Sequence, residues 1–322
     1  MSAIRIAPVM RAIFALFMLA AVSAPASAQS CRGAVDSLNF GVIDLTTGNT
    51  FDTTGNLHVT CSGTPNTTVR VCQNIEAGSG GADPSGNPRY LLNVVNQLAF
   101  NLFQNAGRTT VWGSYTGPAN ALPLTVTLNA SGIGSASAPI YGRVYGSQTG
   151  LPAGTYTSSF AGQASITYDY ASANTCAQMG AVHQTATPFT VGTNDANTCT
   201  ISASALSFGP IADTSVAHST TTTLTANCSL GTAYSISLNS GLNGVTSPMQ
   251  RAMRNGANQL SYNLFRDAGH ALVWGETVGI DVSIGHIGTG SAQSITVFGL
   301  IPVQTTPAVG TYHDIVIVTV TY

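Results

Sequence analysis

The sequence contains no lysine and few charges of either sign. Charged residues make up 7% of its 322 residues, with ten arginines against twelve acidic residues. Without the first 28 residues, a predicted signal peptide (below), eight arginines face twelve acids, a net charge of −4. Such a chain lacks the basic surface that binds nucleic acid or acidic lipid. Its 44% hydrophobic content argues against disorder.

Long hydrophobic runs are also scarce. The apolar run at 12–22 follows two arginines and is too short to span a bilayer stably. Ala26-Ser27-Ala28 then has the A-x-A form of a signal-peptidase site, so 1–28 is predicted to be a cleaved signal peptide. A lipoprotein attached at Cys31 is the alternative, but the usual aliphatic residue three places earlier is missing. Six cysteines in an exported chain predict three disulfides.

Patterns typical of catalytic or metal sites are missing as well. The six histidines are scattered without metal-ligand spacing, and no G-x-S-x-G motif occurs. Acidic residues are sparse, so a glycosidase pair such as Asp267 and Glu276 has little support. We therefore expect no cofactor, no metal and no enzymatic activity.

The most informative feature present is an internal repeat. The eighteen residues 96–113 recur at 258–275 with eleven identities, including the closing Val-Trp-Gly. Phe-Gly pairs at 40–41 and 208–209 each begin nine residues after a cysteine, and Pro-Ala-Gly-Thr-Tyr at 152–156 returns as Pro-Ala-Val-Gly-Thr-Tyr at 307–312. A period of about 160 residues is too long for a solenoid unit. It indicates a duplicated domain.

Each copy is predicted to consist of strands. Residues 122–128 and 313–322 alternate with period two, and Gly- and Asn-containing turns separate the segments. No long amphipathic helix is predicted in the mature chain. We therefore expect an all-β protein with a β-sandwich in each half, with Phe40, Phe208, Trp112 and Trp274 in the cores.

The repeat also predicts the cysteine pairing. A second cysteine follows the first by thirty residues in one copy (Cys31, Cys61) and by twenty-nine in the other (Cys199, Cys228). This recurrence selects two of the three pairs from fifteen possible pairings. Cys72 and Cys176 then pair by elimination.

The combined motifs resemble the spore coat protein U domain, the domain that builds archaic (Csu-type) chaperone–usher pili. They are C-x8-F-G, F/Y-N-L-F followed by V-W-G, P-A-G-T-Y, and the closing V-T-V-T-Y. The resemblance implies two tandem immunoglobulin-like β-sandwiches, of a type that lacks its last strand. The groove left by this strand is filled first by a periplasmic chaperone and then by the N-terminal extension of the next subunit. The implied partners are that chaperone, an outer-membrane usher and the next pilus subunit. The implied location is the cell surface.

The repeat and the resemblance together predict the domain boundaries. Residues 29–177 form an adhesive domain, 178–198 a linker, and 199–322 a pilin-like domain. Only two mature residues precede Cys31, so we expect no outward donor strand and a position at the pilus tip. The linker contains Thr187, Phe189 and Val191 on one face of an extended strand, and it is predicted to complete the first domain in cis. A plain linker remains the alternative, because Pro188 cannot donate to a ladder.

The second domain is predicted to end in an incomplete sheet. Its last strand, 313–322, closes the sequence and leaves an edge and an apolar groove for a donated strand. The residues predicted to contact the chaperone or donor strand are Ile315, Ile317, Val318, Val320 and Tyr322.

Two loops are longer in the first copy, 77–88 and 114–121. Counting strand traversals places both, together with 146–153, at one end facing away from the fibre. Exposed apolar patches commonly mark interaction sites, so this end is predicted to attach to an abiotic or host surface and to support biofilm formation. Neutral loop drift, a carbohydrate-binding subunit and a spore or outer-coat structural protein are the alternatives. The adhesive residues predicted are Tyr90, Leu91, Leu92, Tyr115, Pro118, Leu122 and Leu151.

Overall fold

The protein is all-β, as predicted. The computed structural model describes residues 29–117, 120–170, 175–179 and 183–322, and the predicted signal peptide lies outside them. No helix in these ranges is long and apolar enough to cross a membrane. Three 3₁₀ helices are present in them, at Leu45–Thr47, Cys176–Gln178 and Pro248–Gln250.

The described residues of the first half of the chain form twelve strands. They are β1 (Ser30–Val35), β2 (Leu38–Ile43), β3 (Phe51–Ser62), β4 (Thr68–Ile75), β5 (Arg89–Asn93), β6 (Asn96–Phe103), β7 (Leu122–Thr127), β8 (Ile133–Val144), β9 (Gly154–Ser159), β10 (Ala164–Tyr170), β11 (His183–Thr185) and β12 (Thr190–Asp195).

The second half contains nine described strands. They are β13 (Cys199–Ala203), β14 (His218–Cys228), β15 (Ala233–Leu238), β16 (Ala252–Asn255), β17 (Asn258–Ser261), β18 (Asn263–Phe265), β19 (Ser283–Ile287), β20 (Ala292–Ile301) and β21 (Val318–Thr321).

Two sheets form the first domain. One has the order β1-β3-β8-β6-β5-β9-β12-β2 and the other β11-β10-β4-β7. Strand β12 lies between β9, to which it is antiparallel, and β2, to which it is parallel. Side chains from both sheets meet in one core that includes Trp112, Phe100 and Phe160, all fully buried. This arrangement is consistent with the predicted sandwich.

The second domain repeats this plan with fewer strands. Its sheets have the orders β13-β14-β20-β18, β19-β15-β21 and β16-β17. Trp274, Ile236 and Ile301 are fully buried in its core. The four threonines at 220–223 lie on β14, at half-exposed or exposed positions. Hydroxyls therefore keep the surface polar where charges are scarce, and β-branched threonine suits a strand.

Several side-chain contacts occur in both domains. The Trp112 indole donates to the carbonyl of Gln73 at 2.9 Å, and Trp274 donates to Ile236 at 2.8 Å. The hydroxyls of Tyr156 and Tyr312 each donate to the carbonyl four residues earlier, at 2.6 and 2.7 Å. The sequence repeat is therefore also a repeat of side-chain hydrogen bonds, which accounts for the similar spacing of these residues in the two copies.

Three disulfides link the predicted pairs, Cys31–Cys61, Cys72–Cys176 and Cys199–Cys228. The first and third join corresponding strands, β1 to β3 and β13 to β14. The second belongs to the first domain alone and closes 104 residues. In the chain-entropy model, loops of about 30 and 100 residues are worth roughly 3.5 and 4.7 kcal/mol.

Candidate functional site

The segment before Cys199 is part of the first domain's sheets. Strand β11 pairs with β10, and β12 fills the place between β9 and β2. Val191 is fully buried, and Phe189 stacks on Phe160 with ring centroids 4.5 Å apart. The Phe160 N–H donates to the Phe189 carbonyl at 3.0 Å. The segment thus supplies both backbone pairing and core side chains.

The prediction is wrong for one residue of the donor face. Thr187 is exposed, and its neighbour Ala186 is buried instead. The reason is that the segment leaves one sheet after β11 and enters the other at β12, so the alternation of faces breaks between 186 and 189. Pro188 lies in this gap, exposed and outside both strands, where its missing N–H costs no ladder bond.

The second domain has no strand at the corresponding position within 199–322. In the first domain, β12 lies between 154–159 and 38–43. The tyrosine and Phe-Gly motifs align these with 310–315 and 206–211, neither of which forms a strand. Between them runs a groove with a cavity volume of about 480 Å³.

The groove has mostly apolar walls; Ser204, Thr222 and His313 add polar groups, and two further lining residues form a polar contact. The apolar walls include Leu206, Phe208, Leu224, Leu238, Met253, Leu264, Val297, Val316 and Val318. The polar contact is formed by Tyr262, whose hydroxyl donates to Asp314 at 2.8 Å. Burial, followed by the bond to Asp314, raises the pKa of Tyr262. The groove therefore presents an apolar surface between two segments that form no strand.

The predicted chaperone and donor-strand contacts divide between two faces. Val318 and Val320 pack against the core, as Val316 does. Ile315, Ile317 and Tyr322 are between 50 and 61% exposed. Strand β21 is shorter than the predicted 313–322 strand. It pairs with β15 over 318–321, whereas 313–317 make only separate backbone hydrogen bonds, to Asn239, Leu242 and Arg254.

The predicted adhesive residues are mostly not exposed. Leu91 and Leu122 are buried in the first domain's core, so predicting them as adhesive surface was wrong. Both lie on strands, β5 and β7, with inward-facing side chains. Leu151 is half-buried and packs against the core. Tyr90, Leu92 and Tyr115 are half-buried, and Pro118 lies outside the described residues.

The loops are not all at one end. Loop 77–88 and the start of loop 114–121, at Ser114 and Gly117, do lie together and line one cavity. Loop 146–153 instead meets the second domain, where Pro152 forms a bridge with Leu230. The traversal count failed because β8, with twelve residues, is twice as long as β7. At about 3.3 Å per residue, the chain overshoots the first two loops by some 20 Å.

The exposed apolar residues of the first domain are elsewhere. Val94 and Val95 form the turn between β5 and β6 and are 87 and 82% exposed. Val94 has a φ of 54°, a left-handed conformation that is unfavourable for a β-branched residue. The second domain has Gly256 and Ala257 at this turn. Sequence reasoning missed this difference, although the flanking Asn-Gln repeat aligns the two turns.

Comparison with known proteins agrees with the duplicated architecture. The family model described as Spore Coat Protein U domain matches residues 16–162 and again 185–319. The chain belongs to this family. It is 33% identical over 108 residues to Protein U of Myxococcus xanthus, a match that covers 32% of this chain and 59% of that protein. The chain thus aligns with less than two thirds of this relative.

Two solved structures are among those similar to this chain. One is a chain of the CsuC–CsuE chaperone–tip adhesion subunit pre-assembly complex of Csu pili from Acinetobacter baumannii, with a TM-score of 0.54 and 18% identity. The alignment covers 91% of the protein described here and all of the chain from the Csu complex. The other is the CupB6 tip adhesin of Pseudomonas aeruginosa, with a TM-score of 0.38, 14% identity, and coverage of 92% and 94%.

Proposed function

We propose that this protein is the adhesive subunit at the tip of a chaperone–usher pilus. One observation carries the proposal: the strand position that β12 occupies in the first domain is an open groove in the second. In donor-strand complementation, such a groove is filled by a strand from a chaperone or a neighbouring subunit. The first domain uses its own chain for this strand, so strand addition is directed to the second domain.

This asymmetry supports an end position. A subunit that accepts a strand only through its second domain extends the fibre from that domain. Strand β1, which holds Cys31, pairs within its own domain with β3. The first domain would therefore face outward, exported through the periplasm to the cell surface. The fold shared with a chain of a chaperone–tip adhesion subunit complex supports the same assembly. The inferred partners are a periplasmic chaperone, an outer-membrane usher and the next subunit.

We infer that surface contact uses exposed apolar side chains of the first domain. Val94 and Val95 are the candidates, because an exposed valine occupies a strained turn where the second domain has glycine. The strand register places this turn at the end of the first domain nearer the second, so the contact would be made by the side of the tip. Backbone strain of this kind tends to persist at functional positions. Burying apolar area against a hydrophobic surface yields about 25 cal/mol per Å², and many fibres on a cell multiply the contact.

Deletion of the gene in its source bacterium, with complementation, tests the proposal. Antibodies against the first domain should label fibre ends in electron micrographs, and attachment to plastic should fall in the deletion strain. Complementation with the V94G/V95A double variant, which carries the second domain's residues, should restore fibres but not attachment. Label distributed along the shaft would contradict the end position. Full attachment by the double variant would exclude the turn as the adhesive contact.

A further inference from the structure

A buried arginine occurs at the same place in both domains but is bonded differently. Arg89 and Arg251 each lie seven residues before the repeated Asn-Gln, and they are 2 and 0% exposed. Each donates through Nη1 to an asparagine of the repeat, Asn101 or Asn263. The two positions are therefore equivalent, and their differences can be compared directly.

Arg251 is saturated with hydrogen bonds. Its Nη2 donates to the carbonyls of Leu238, Asn239 and Trp274 at 2.8, 2.6 and 2.7 Å. Its Nε and Nη1 reach carbonyls at 2.9 and 3.2 Å. Because every nitrogen of this guanidinium is bonded, the residue has a structural role and offers nothing to a ligand.

Arg89 keeps a donor group for another partner. Its Nε donates to the Glu76 carbonyl at 2.9 Å, but its Nη2 makes no hydrogen bond with a described residue, and no described carboxylate lies within ion-pair distance. This nitrogen is not among the described buried polar atoms that are sealed without a partner, so it borders open space. Burial lowers the pKa of Arg89 to about 10, which leaves it charged at neutral pH. A buried donor without a partner is costly.

The open space is a cavity between the two loops that are longer in this domain. It has a volume of about 170 Å³, and its lining combines the polar residues Arg89, Glu76, Asp83 and Ser114 with small or apolar ones, Ile75, Ala77, Ala82, Pro84, Gly86, Gly113 and Gly117. The Asp83 carboxylate also accepts from the Tyr90 hydroxyl at 2.8 Å. Pockets for drug-sized ligands measure about 300–1,000 Å³, so this cavity fits a single small ring.

The lining determines the class of ligand. An anion would pair with Arg89 but would be repelled by Glu76 and Asp83. A hydroxyl group both donates and accepts, so a polyol can donate to the carboxylates and accept from Arg89 at the same time. We propose that Arg89, Glu76 and Asp83 form a binding site for one neutral sugar ring. The site is separate from the groove of the second domain, so it goes beyond the proposed assembly role and does not depend on it.

Saturation-transfer NMR on the full exported chain tests the site. The probes are glucose, mannose, galactose, N-acetylglucosamine and glucuronic acid, each added alone. At least one neutral sugar should bind, and Glu76→Gln should weaken that binding at least tenfold. Glu76 is exposed, so this change should leave the fold intact. Glu276→Gln, at an exposed glutamate of the second domain, is the matched control and should bind as the unchanged chain does.

The Arg89→Lys variant provides a second, independent test of the site. Near-ultraviolet circular dichroism verifies that this variant is folded. The folded Arg89→Lys variant should lose binding, because the shorter, non-planar lysine side chain cannot replace Nη2. The proposal is overturned if no neutral sugar binds, if glucuronic acid alone binds, or if Glu76→Gln binds normally. Loss of sugar binding should not change fibre assembly, so failure of this site is distinguishable from failure of the tip assignment.

Discussion

Valine is energetically unfavourable in a left-handed turn, and the two domains carry different residues at this position. Val94 has a φ of 54°, whereas its counterpart Gly256 has 58°. A residue in such a sparsely populated region costs on the order of 1–3 kcal/mol. We predict that Val94→Gly raises the free energy of unfolding of the first domain by about 1 kcal/mol, measured by urea denaturation. The reverse change, Gly256→Val, should destabilise the second domain. A stabilising effect there would contradict the strain argument.

Asp195 gives the protein a pH dependence. It is 3% exposed and accepts from the Leu45 N–H at 3.0 Å. Burial, with a smaller effect from Asp44, raises its pKa from 3.8 to about 6, although the Leu45 bond opposes this. The folded state thus holds the proton more tightly than the unfolded state. Its contribution to stability is largest below pH 4, falls as pH rises through about 6, and is then constant.

We predict that Asp195→Asn removes this dependence. The amide oxygen can still accept from Leu45 but does not ionise. The difference in unfolding free energy between the variant and the unchanged chain should therefore grow from pH 4 to 7, since each tenfold change in proton affinity is worth about 1.4 kcal/mol. Denaturation at several pH values measures it. A difference that is independent of pH would show that Asp195 titrates normally in the folded protein.

At the scale of elements, β12 and the residues leading into it are the most informative segment. Phe189 lies 2% exposed between Phe160 and Trp112, so removing its ring leaves a core cavity. Phe189→Ala should destabilise the first domain by about 3–5 kcal/mol, measured by thermal and urea unfolding. Thr190→Ala, at the exposed neighbour, is the control and should change stability by less than about 0.5 kcal/mol. Equal effects would mean that the segment is not part of the core.

The sequence predicted the strands and disulfides more reliably than the burial and position of individual residues. The repeat was sufficient to predict two copies and two cysteine pairs, which follow from spacing and leave the third pair by elimination; period-two alternation and turn residues predicted the strands. Sequence reasoning failed at Thr187, where the chain changes sheets and the period-two pattern breaks. It failed at Leu151, because counting traversals assumes strands of equal length. It overlooked Arg89, because charged residues are expected on the surface, although recurrence of the arginine in both copies was visible.

At the scale of the whole molecule, the two domains meet through direct contacts. The Thr198 hydroxyl donates to Asp44 at 2.9 Å, and the Asn227 amide donates to the Thr46 carbonyl at 3.2 Å. Strand β12 ends at Asp195 and β13 begins at Cys199. The strand that fills the first domain therefore runs almost directly into the domain whose own strand position is open. One chain thus presents the same fold twice, with a strand at this position in the first domain and a groove in the second.

The groove of the second domain allows a test at this scale. Val316 lines it, whereas Val278 is 81% exposed and lies outside it. Val316→Arg places a charge where an incoming strand must bury apolar side chains, and an unpaired buried charge costs several kcal/mol. This variant should be missing from fibre ends when counted by immunogold labelling, because no strand can enter the groove. Val278→Arg adds the same charge at the surface and should label fibre ends normally. Normal incorporation of the Val316 variant would show that the groove is not the route of assembly.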